Sequence, residues 1–381
     1  MNFNFKESIS KIKQAKIKNA IDEENSRLSK TFQTSFDEST YNFNKTVDNK
    51  KFNLIQNPMP LKKITPIVDS GNYVLSSIIK PAPDKHLEYI KNNVSTIVNV
   101  YQKEYNNFVK ATGFGDFIRG TYFVIQFCER YKLNFDVQIN HPFRKYLKLY
   151  LHVPDLDSEV ESDLQVKFFD KPNFHPNEHP RANENEEIVD DFVNYLKEQT
   201  IELRAAYIYI ISFNFAPITE EHRACMRSLL EPTDDFKYYI LTTLKNMQLV
   251  LKNYIVIHIR TGDNLLIHNE EINIEYLRCI VVEIFKIYKP QYKYLLLSDS
   301  VELKKKIVCL FPKIKAEFKE ITHSGEGITL TDESVKNTML DFYLMAYSGR
   351  IFAYSCYDHG SGFSRWCAET FNVPYKCAIV K

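Results

Sequence analysis

The sequence lacks any apolar stretch of the length that crosses a membrane, since no window approaches about 18 uninterrupted apolar residues. The first residues, MNFNFKESISKIKQAKIK, also lack the apolar segment of a secretory signal peptide. We therefore expect a protein without a transmembrane segment, located in the cytoplasm.

Cysteine pairs and an excess of charge of one sign are missing as well. The seven cysteines are scattered and include no CxxC pair, which favours reduced thiols in a cytosolic protein over a disulfide framework. With 49 Lys and Arg residues against 48 Asp and Glu residues, the net charge is +1. This balance predicts neither a nucleic-acid nor an anionic-membrane partner, so any anion should be bound by a local site.

The motifs of several common site types are absent or incomplete. There is no GxxxxGK[ST] loop for ATP phosphates. Asp155 and Asp157 form an Asp-x-Asp pair, but they lie in an acidic, proline-bearing stretch (152–190) that predicts a surface loop or a small insertion. His175 and His179 have the spacing of a helical zinc site, yet the prolines around them exclude that helix. We therefore expect no metal site.

The chain does contain the alternating strands and helices of an α/β protein, and 381 residues are sufficient for two domains. We predict a polar, partly helical N-terminal extension at 1–65, a first Rossmann-like domain at 66–245 and a second at 246–381. Apolar runs between amphipathic helices are typical of parallel sheets covered on both faces. The predicted strands are 133–139, 204–213, 253–260, 293–300, 315–321 and 350–356, and the predicted helices are 85–110, 118–132, 219–252, 273–288, 301–310, 332–348 and 362–371.

Polar residues follow the first strand of the second half. Arg260, Thr261, Gly262 and Asp263 come directly after the apolar run IVIHI. An arginine that leaves a buried strand can bind a diphosphate through two N–H donors, and Gly262 lets the backbone come close. Asp263 could orient Arg260 or take part in the chemistry. The alternative is an Arg–Asp ion pair that only closes the strand.

Two further segments follow strands in the same way. Asp299, between two serines, offers a carboxylate to a base or a ribose, but Ser-Asp-Ser is equally a standard N-cap sequence for the next helix. Ser361, Gly362, Phe363 and Ser364 begin the last helix, where backbone amides and hydroxyls can bind an anion. An ordinary glycine-bearing turn with a serine cap is the alternative for that segment.

In the first half, a glycine-bearing turn joins a loop to a helix through Gly113, Gly115 and Asp116. The glycines permit a ligand to come close across a cleft between the two domains. Asp116 is a chemically reasonable base that would face this cleft. A GxG pair without its third glycine is only weak evidence for dinucleotide binding.

Together, this GxGD-like turn, the HxRxGD segment at 258–263 and the C-terminal segment D-F-x-L-M-x-x-S…S-G-F-S-x-W resemble the fucosyltransferase superfamily, which includes the α1,2-, α1,6-, protein O- and bacterial nodulation fucosyltransferases. The resemblance covers roughly residues 110–375, with the motifs in the family's order. It implies a GT-B fold, in which an acceptor-side and a nucleotide-sugar-binding Rossmann-like domain face a cleft. It also implies an inverting, metal-independent transfer of a sugar, usually fucose from GDP-fucose, to a hydroxyl of a glycan or glycoconjugate.

The resemblance assigns roles to individual residues. Arg260 matches the arginine that binds the donor's β-phosphate, although Thr261 stands where many members carry a second arginine. Asp299 resembles the acid that contacts the base. The remaining matches are His258, two residues before the arginine; Asp341, which opens the C-terminal segment; Ser361, Gly362, Phe363 and Ser364, which hold the diphosphate; and Gly113, Gly115 and Asp116, which face donor and acceptor.

The predicted chemistry needs no cofactor besides the nucleotide-sugar donor. Arg260 and the helix amides would stabilise the leaving diphosphate, and Asp116, or else Asp263, would deprotonate the acceptor hydroxyl. One alternative keeps the fold but uses another GDP- or UDP-sugar. The other is a non-catalytic binding or structural protein that has retained the scaffold.

Overall fold

The computed structural model describes residues 84–102, 104–105, 109–110, 113–148, 167–169, 186–198, 201, 204–262, 272–321 and 331–380. The chain divides into two compact units, residues 1–70 and 71–381, and every described residue belongs to the second. The predicted N-terminal extension, the Asp155–Asp157 and His175–His179 pairs and Asp263 lie outside the described residues. None of the helices in the described ranges combines the length and the apolar character needed to cross a membrane.

Helices and strands alternate along most of the described chain. The helices are α1 (Asp84–Asn93), α2 (Phe114–Tyr131), α3 (Glu186–Glu198), α4 (Glu220–Leu229), α5 (Asp234–Asn246), α6 (Ile274–Ile287), α7 (Val301–Leu310), α8 (Asp332–Ala346) and α9 (Gly362–Thr370), with a 3-10 helix at Pro142–Tyr146. The strands are β1 (Thr96–Gln102), β2 (Glu104–Tyr105), β3 (Val109–Lys110), β4 (Asn134–Asn140), β5 (Lys167–Phe169), β6 (Ala205–Ile210), β7 (Ile255–Arg260), β8 (Tyr294–Ser298), β9 (Ile314–Ala316), β10 (Arg350–Ser355) and β11 (Tyr375–Ile379).

The first sheet has the order β4-β1-β6-β5, and all its pairings are parallel. Its central strand β1 corrects the prediction of one helix over 85–110, because the helix ends at Asn93 and Thr96–Gln102 is extended. The run TIVNVYQ is rich in β-branched residues and buried along its length, which suits a strand covered on both faces. Burial of side chains on both faces of the sheet therefore decided for a strand, against the helical spacing of the apolar residues.

The second sheet has the order β11-β10-β7-β8-β9, again with parallel pairings only. This is the order of a Rossmann half, extended from β7 in both directions, so the chain reverses its winding between β7 and β10. The predicted elements of this half are confirmed, with β9 shorter than expected. Strand β11 was missed, and the predicted helix over 219–252 is two helices, α4 and α5, separated around Pro232. The predicted α/β fold class with two Rossmann-like sheets is confirmed.

Helices α2, α8 and α9 join the two sheets. Helix α2 belongs to the first half, yet it is buried nearly all round because α9 covers the side turned away from its own sheet. The Phe114 ring meets the Phe342 ring of α8 edge-on at 5.2 Å, and the Tyr122 hydroxyl donates to the Thr370 hydroxyl at 3.1 Å. The strands of the two sheets lie before residue 211 and after residue 254. The boundary predicted at 245/246 stays a prediction.

Candidate active site

Arg260 lies at the carboxyl end of β7, beside the point where the winding of the second sheet reverses. Its Nη1 donates to Asp299 Oδ2 at 2.6 Å, and its guanidinium carbon lies 5.8 Å from the centre of the Tyr357 ring. The Arg260 side chain is 15 % exposed, so its guanidinium is held by Asp299 and still reaches solvent. A guanidinium carries five N–H donors, which allows one arginine to bind a carboxylate and a phosphate together.

Asp299, which was predicted to contact a base, binds Arg260 and Thr261, and its contact with a base stays a prediction. Its side chain is 2 % exposed, and besides Arg260 it accepts from the Thr261 amide at 2.9 Å and the Thr261 hydroxyl at 2.7 Å. The N-cap of α7 is Ser300, whose hydroxyl accepts from the Leu303 amide at 3.2 Å. Both open alternatives are thus realised in part: the serine caps the helix, and an Arg–Asp ion pair exists, but with Asp299 as the acid. We assign Asp299 to the orientation of Arg260.

The N-terminus of α9 lies across the switch point from Arg260, since Ser355 of β10 pairs with Arg260 of β7. Ser361 is its N-cap, but the serine side chain makes no capping hydrogen bond. The first backbone bond of the helix runs from the Arg365 amide to the Ser361 carbonyl, which leaves the amides of Gly362, Phe363 and Ser364 without a partner in the helix. Such amides favour an anion.

The predicted role of the Ser364 hydroxyl needs a correction. The residue is fully buried, and its hydroxyl donates to the Ser361 carbonyl at 3.5 Å and lies 3.4 Å from the Tyr375 hydroxyl. The side chain of Ser364, the third residue of α9, points inward towards Tyr375 of β11. Only the backbone amide of Ser364 can serve an anion.

His258 is a buried residue of β7 that faces the same region. Its ring centre lies 6.2 Å from that of Phe363, and its Nδ1 is buried without a hydrogen-bond partner among the described residues. Burial lowers the pKa of His258 to about 4, although the nearby Asp299 acts in the opposite direction. The imidazole is therefore neutral near pH 7, and its unsatisfied nitrogen is an observation that a polar ligand would explain.

Gly115 brings the glycine-rich turn of the first half against the N-terminus of α9. A Cβ atom on Gly115 would lie 2.5 Å from the carbonyl carbon of Gly362 and 2.7 Å from the Phe363 nitrogen. The Asp116 carboxylate lies beside the same residue, since a Cβ on Gly362 would be 3.8 Å from Asp116 Oδ1. Gly113 is the N-cap of α2, and a Cβ there would meet only Asp116, at 3.6 Å. Predicted site residues more than 240 positions apart thus share one surface.

The orientation of Asp116 is set by Arg119, a residue that the sequence analysis missed. Arg119 Nη1 lies 3.2 Å from Asp116 Oδ1, and its Nε donates to the Ile211 carbonyl at 2.5 Å. The guanidinium also stacks on Phe213 at 4.4 Å. The i, i+3 spacing of the two residues was the available signal, but the predicted helix began at 118 and left Asp116 outside it. Arg119 thus holds the Asp116 carboxylate in place, and the Asp116 side chain is 30 % exposed.

Asp341 is buried on α8, within electrostatic reach of the buried Lys304 and of the partly exposed Glu317 and Lys319, and we call this group the α8 cluster. Lys304 is 2 % exposed and donates to the Lys319 carbonyl at 2.9 Å. Burial lowers the pKa of Lys304, while Asp341 and Asp299 both favour its charged form. Burial also raises the pKa of Asp341 to about 7, against the opposing effect of Lys304. Lys304 thus interacts with both Asp299 and Asp341, and it links the surroundings of Arg260 to α8.

Asn337 completes this cluster one helical turn before Asp341. It is 4 % exposed, and its Nδ2 donates to the Glu320 carbonyl at 3.0 Å. Its Oδ1 is buried without a hydrogen-bond partner among the described residues. Neither Asn337 nor Lys304 was predicted as a site residue. The signal was a polar residue four positions before a predicted acid, and a lysine beside the buried Leu303.

Replacing Asp341 with asparagine is expected to remove one pH dependence of stability. Between about pH 4 and pH 7 the carboxyl is protonated in the folded protein and ionised in the unfolded chain, because its folded pKa is near 7. The wild type should therefore lose stability relative to Asp341→Asn as the pH rises through this window, by up to about 1.4 kcal/mol per pH unit. Urea denaturation at a series of pH values measures the difference.

The matched control for this prediction is Glu333→Gln, which neutralises an exposed carboxylate on the same helix. Its stability should run parallel to that of the wild type across the window. Parallel curves for Asp341→Asn as well would contradict the buried, protonated state of Asp341.

Comparisons with known proteins give structural likeness only. No protein-family profile matches the chain, and no curated protein sequence matches it. NodZ α-1,6-fucosyltransferase soaked with GDP-fucose is 14 % identical over 74 % of this chain and 93 % of that one, with a TM-score of 0.41. POFUT1 in complex with GDP is 10 % identical over 76 % and 98 %, with a TM-score of 0.40. A mutant of FUT1 from Arabidopsis thaliana in complex with GDP is 10 % identical over 77 % and 73 %, with a TM-score of 0.42.

NodZ is named as a fucosyltransferase, the family that the sequence motifs resemble. At these identities and TM-scores the likeness assigns no donor, acceptor or site residue to this chain.

Proposed function

We propose that this protein is a glycosyltransferase that takes a sugar from a GDP-sugar, with GDP-fucose as the leading donor, and transfers it to a glycan or glycoconjugate hydroxyl. The observation that carries the proposal is the position of Arg260 and of the uncapped N-terminus of α9 on the two sides of the switch point. Open parallel sheets bind ligands at this point, outside the carboxyl ends of their strands.

The donor's diphosphate would lie between these two features. Arg260, held by Asp299, supplies charge and directed N–H donors, and the amides of Gly362 and Phe363 supply the positive end of a helix. The orphaned Nδ1 of His258 lies beside Phe363 and offers a further polar contact. These groups would stabilise the negative charge that develops on the leaving diphosphate, which supports a metal-independent mechanism.

The nucleobase would be bound by the cluster on α8. Guanine presents N–H donors at N1 and N2 that would bind Asp341 as a carboxylate and so favour its ionised form against the burial that raises its pKa, and the guanine O6 accepts from an ammonium such as that of Lys304. The unsatisfied Oδ1 of Asn337 could accept the remaining N–H. Uracil presents one ring N–H between two carbonyls, which matches this set of acceptors poorly. The cluster therefore favours a GDP-sugar over a UDP-sugar.

The transfer itself would be a single displacement with inversion. A carboxylate takes the proton of the acceptor hydroxyl, the oxygen forms a bond to the anomeric carbon, and the bond from that carbon to the diphosphate breaks. Asp116 is the first candidate for the base because it lies at Gly362, beside the predicted diphosphate site, and is oriented by Arg119. Asp263 remains the second candidate.

A nucleotide panel tests the donor class. Thermal denaturation with GDP, UDP and ADP should show stabilisation by GDP above the others, since a ligand at 100 times its Kd adds about 2.7 kcal/mol. Asp341→Asn should reduce the preference for GDP over UDP. Stabilisation by UDP but not by GDP would remove a GDP-sugar from consideration.

A second measurement separates an enzyme from a binding protein with the same scaffold. Release of GDP from GDP-fucose should be detectable with a glycan acceptor mixture and should fall in Asp116→Asn, while GDP binding persists. Tight GDP binding without release or transfer across a panel of GDP-sugars and acceptors would favour the non-catalytic alternative.

A further inference from the structure

The amino edge of the second sheet, opposite the candidate active site, has an unusual charge composition. Because all five strands are parallel, the segments that lead into them share this edge; they are 245–254, 286–293, 309–315, 346–350 and 371–376, the last three of which include the first one or two residues of their strand. These segments contain nine basic residues and no acidic one, although Lys286 is paired with Glu283 of the preceding turn of α6: Lys245, Lys252, Lys286, Lys289, Lys293, Lys313, Lys315, Arg350 and Lys376. The whole chain, in contrast, has 49 basic and 48 acidic residues.

The acidic residues of this half follow the strands instead. The described residues after β8, β9 and β10 include the acids Asp299, Glu302, Glu317, Glu320 and Asp358, against the two lysines Lys304 and Lys319. The two ends of one sheet thus differ in sign. Helix C-termini favour lysines, which accounts for Lys245 and Lys286 in the last turns of α5 and α6. It does not account for Lys289, Lys293 and Lys313, which lie beyond the helices.

The loops of this edge are in mutual contact. Lys293 donates from Nζ to the Gln248 carbonyl at 2.5 Å, which joins the segments before β7 and β8. The Phe311 ring lies 5.2 Å from the Tyr288 ring, which joins the segments before β8 and β9. The Lys252 amide donates to the Tyr347 carbonyl and the Ile351 amide to the Pro374 carbonyl, which joins the segments before β10 and β11 as well. The five segments therefore form one continuous surface, which we call the basic edge.

Apolar side chains are exposed among these lysines. Val250 is 58 % exposed, Leu251 44 %, Tyr292 43 % and Leu310 38 %. Phe285, one residue before Lys286, is 39 % exposed. These five are half of the ten large apolar side chains that are exposed in the described residues. Aliphatic and aromatic side chains set among lysines are the composition of surfaces that rest on an anionic bilayer.

We propose that the basic edge docks the protein on the surface of an anionic lipid membrane. Lysine ammonium groups would meet the headgroups, and Val250, Leu251, Tyr292 and Leu310 would enter the boundary with the acyl chains. The predominance of lysine, with Arg350 as the single arginine, fits a diffuse headgroup layer better than the directed contacts of nucleic-acid recognition. The carboxyl edge, with Arg260 and α9, would face away from the membrane and stay open to substrates.

Vesicle co-sedimentation of the full chain tests this proposal. Phosphatidylcholine vesicles that contain phosphatidylserine should bind the protein in low salt, whereas pure phosphatidylcholine vesicles or high salt should abolish binding. Lys289→Glu/Lys313→Glu should bind at least about 30-fold more weakly, given the contribution of each lysine near an anionic surface. Val250→Ser/Leu251→Ser should bind about 10-fold more weakly and keep the salt dependence.

The matched control is Lys237→Glu/Lys305→Glu, which makes the same charge change at two exposed lysines on α5 and α7, away from the edge. It should bind vesicles as the wild type does, and GDP binding should be equal in all variants. Equal losses in the edge and control variants would overturn the proposal, because they would reflect net charge alone. So would the absence of vesicle binding, or displacement from vesicles by RNA or polyglutamate at equal charge concentration.

Discussion

Gly115→Ala is expected to destabilise the protein and to weaken nucleotide binding at the same time. The added Cβ would lie 2.5 Å from the Gly362 carbonyl carbon and 2.7 Å from the Phe363 nitrogen, and both of these are backbone atoms. A rotamer change cannot relieve the contact, so α2 and α9 must separate. Overpacking of this kind costs about 1–3 kcal/mol, and we expect the upper end here. The displaced atoms belong to the first two residues of α9, whose amides form the proposed diphosphate site. GDP affinity should therefore fall together with the free energy of unfolding.

The chain provides its own control for this prediction in Gly113, two residues earlier in the same turn. Gly113 has φ −62°, which alanine adopts without strain, and its added Cβ would meet only Asp116 Oδ2, at 3.6 Å. Gly113→Ala should therefore match the wild type in urea denaturation and in GDP titration. If both variants lost the same stability and the same GDP affinity, the effect would come from the turn itself and the predicted contact with α9 would be wrong.

The second half of the fold could be predicted from the sequence because its elements are locally encoded. Apolar runs such as YLLL end in polar residues, and the following helices carry caps such as Ser300 and Thr331. The first half gave weaker signals. Strand β1 lies within a stretch whose apolar spacing also fits a helix, and only its place between β4 and β6 decides the matter.

The site could be predicted as a set of segments but not as a set of contacts. The carboxyl ends of parallel strands meet by topology, so Arg260 and Ser361 could be placed together. The partner of Asp299 depends on the pairing of Ile259 with Ser298, which sets the β7 and β8 ends side by side. The meeting of Asp116 with Gly362 depends on the packing of two distant helices. Pairings of this kind are fixed by tertiary structure, and no local pattern encodes them.

Arg260→Ala is expected to lower GDP affinity by about 10–150-fold, since it removes a charge-assisted contact of about 1.5–3 kcal/mol. It should also destabilise the free protein. Asp299, with a side chain only 2 % exposed, would lose the guanidinium that binds it and, among the described residues, keep the hydrogen-bond donors of Thr261 and Ser298. A single alanine variant therefore mixes a binding effect with a folding effect, and a loss of activity alone would not identify the role of Arg260.

Two further variants separate these effects. Arg260→Lys keeps a cation near Asp299 but loses the planar pair of donors, so stability should largely persist while GDP affinity falls. Arg260→Ala/Asp299→Asn removes both charges, so it should recover stability relative to the single alanine variant without recovering GDP binding. Denaturation without ligand and calorimetric titration with GDP measure the two quantities independently. If the double variant recovered both, or if Arg260→Lys bound GDP as tightly as the wild type, the directed arginine–phosphate contact would be wrong. The Arg260–Asp299 pair would then serve only to close the strand ends, as the ion-pair interpretation of this segment holds.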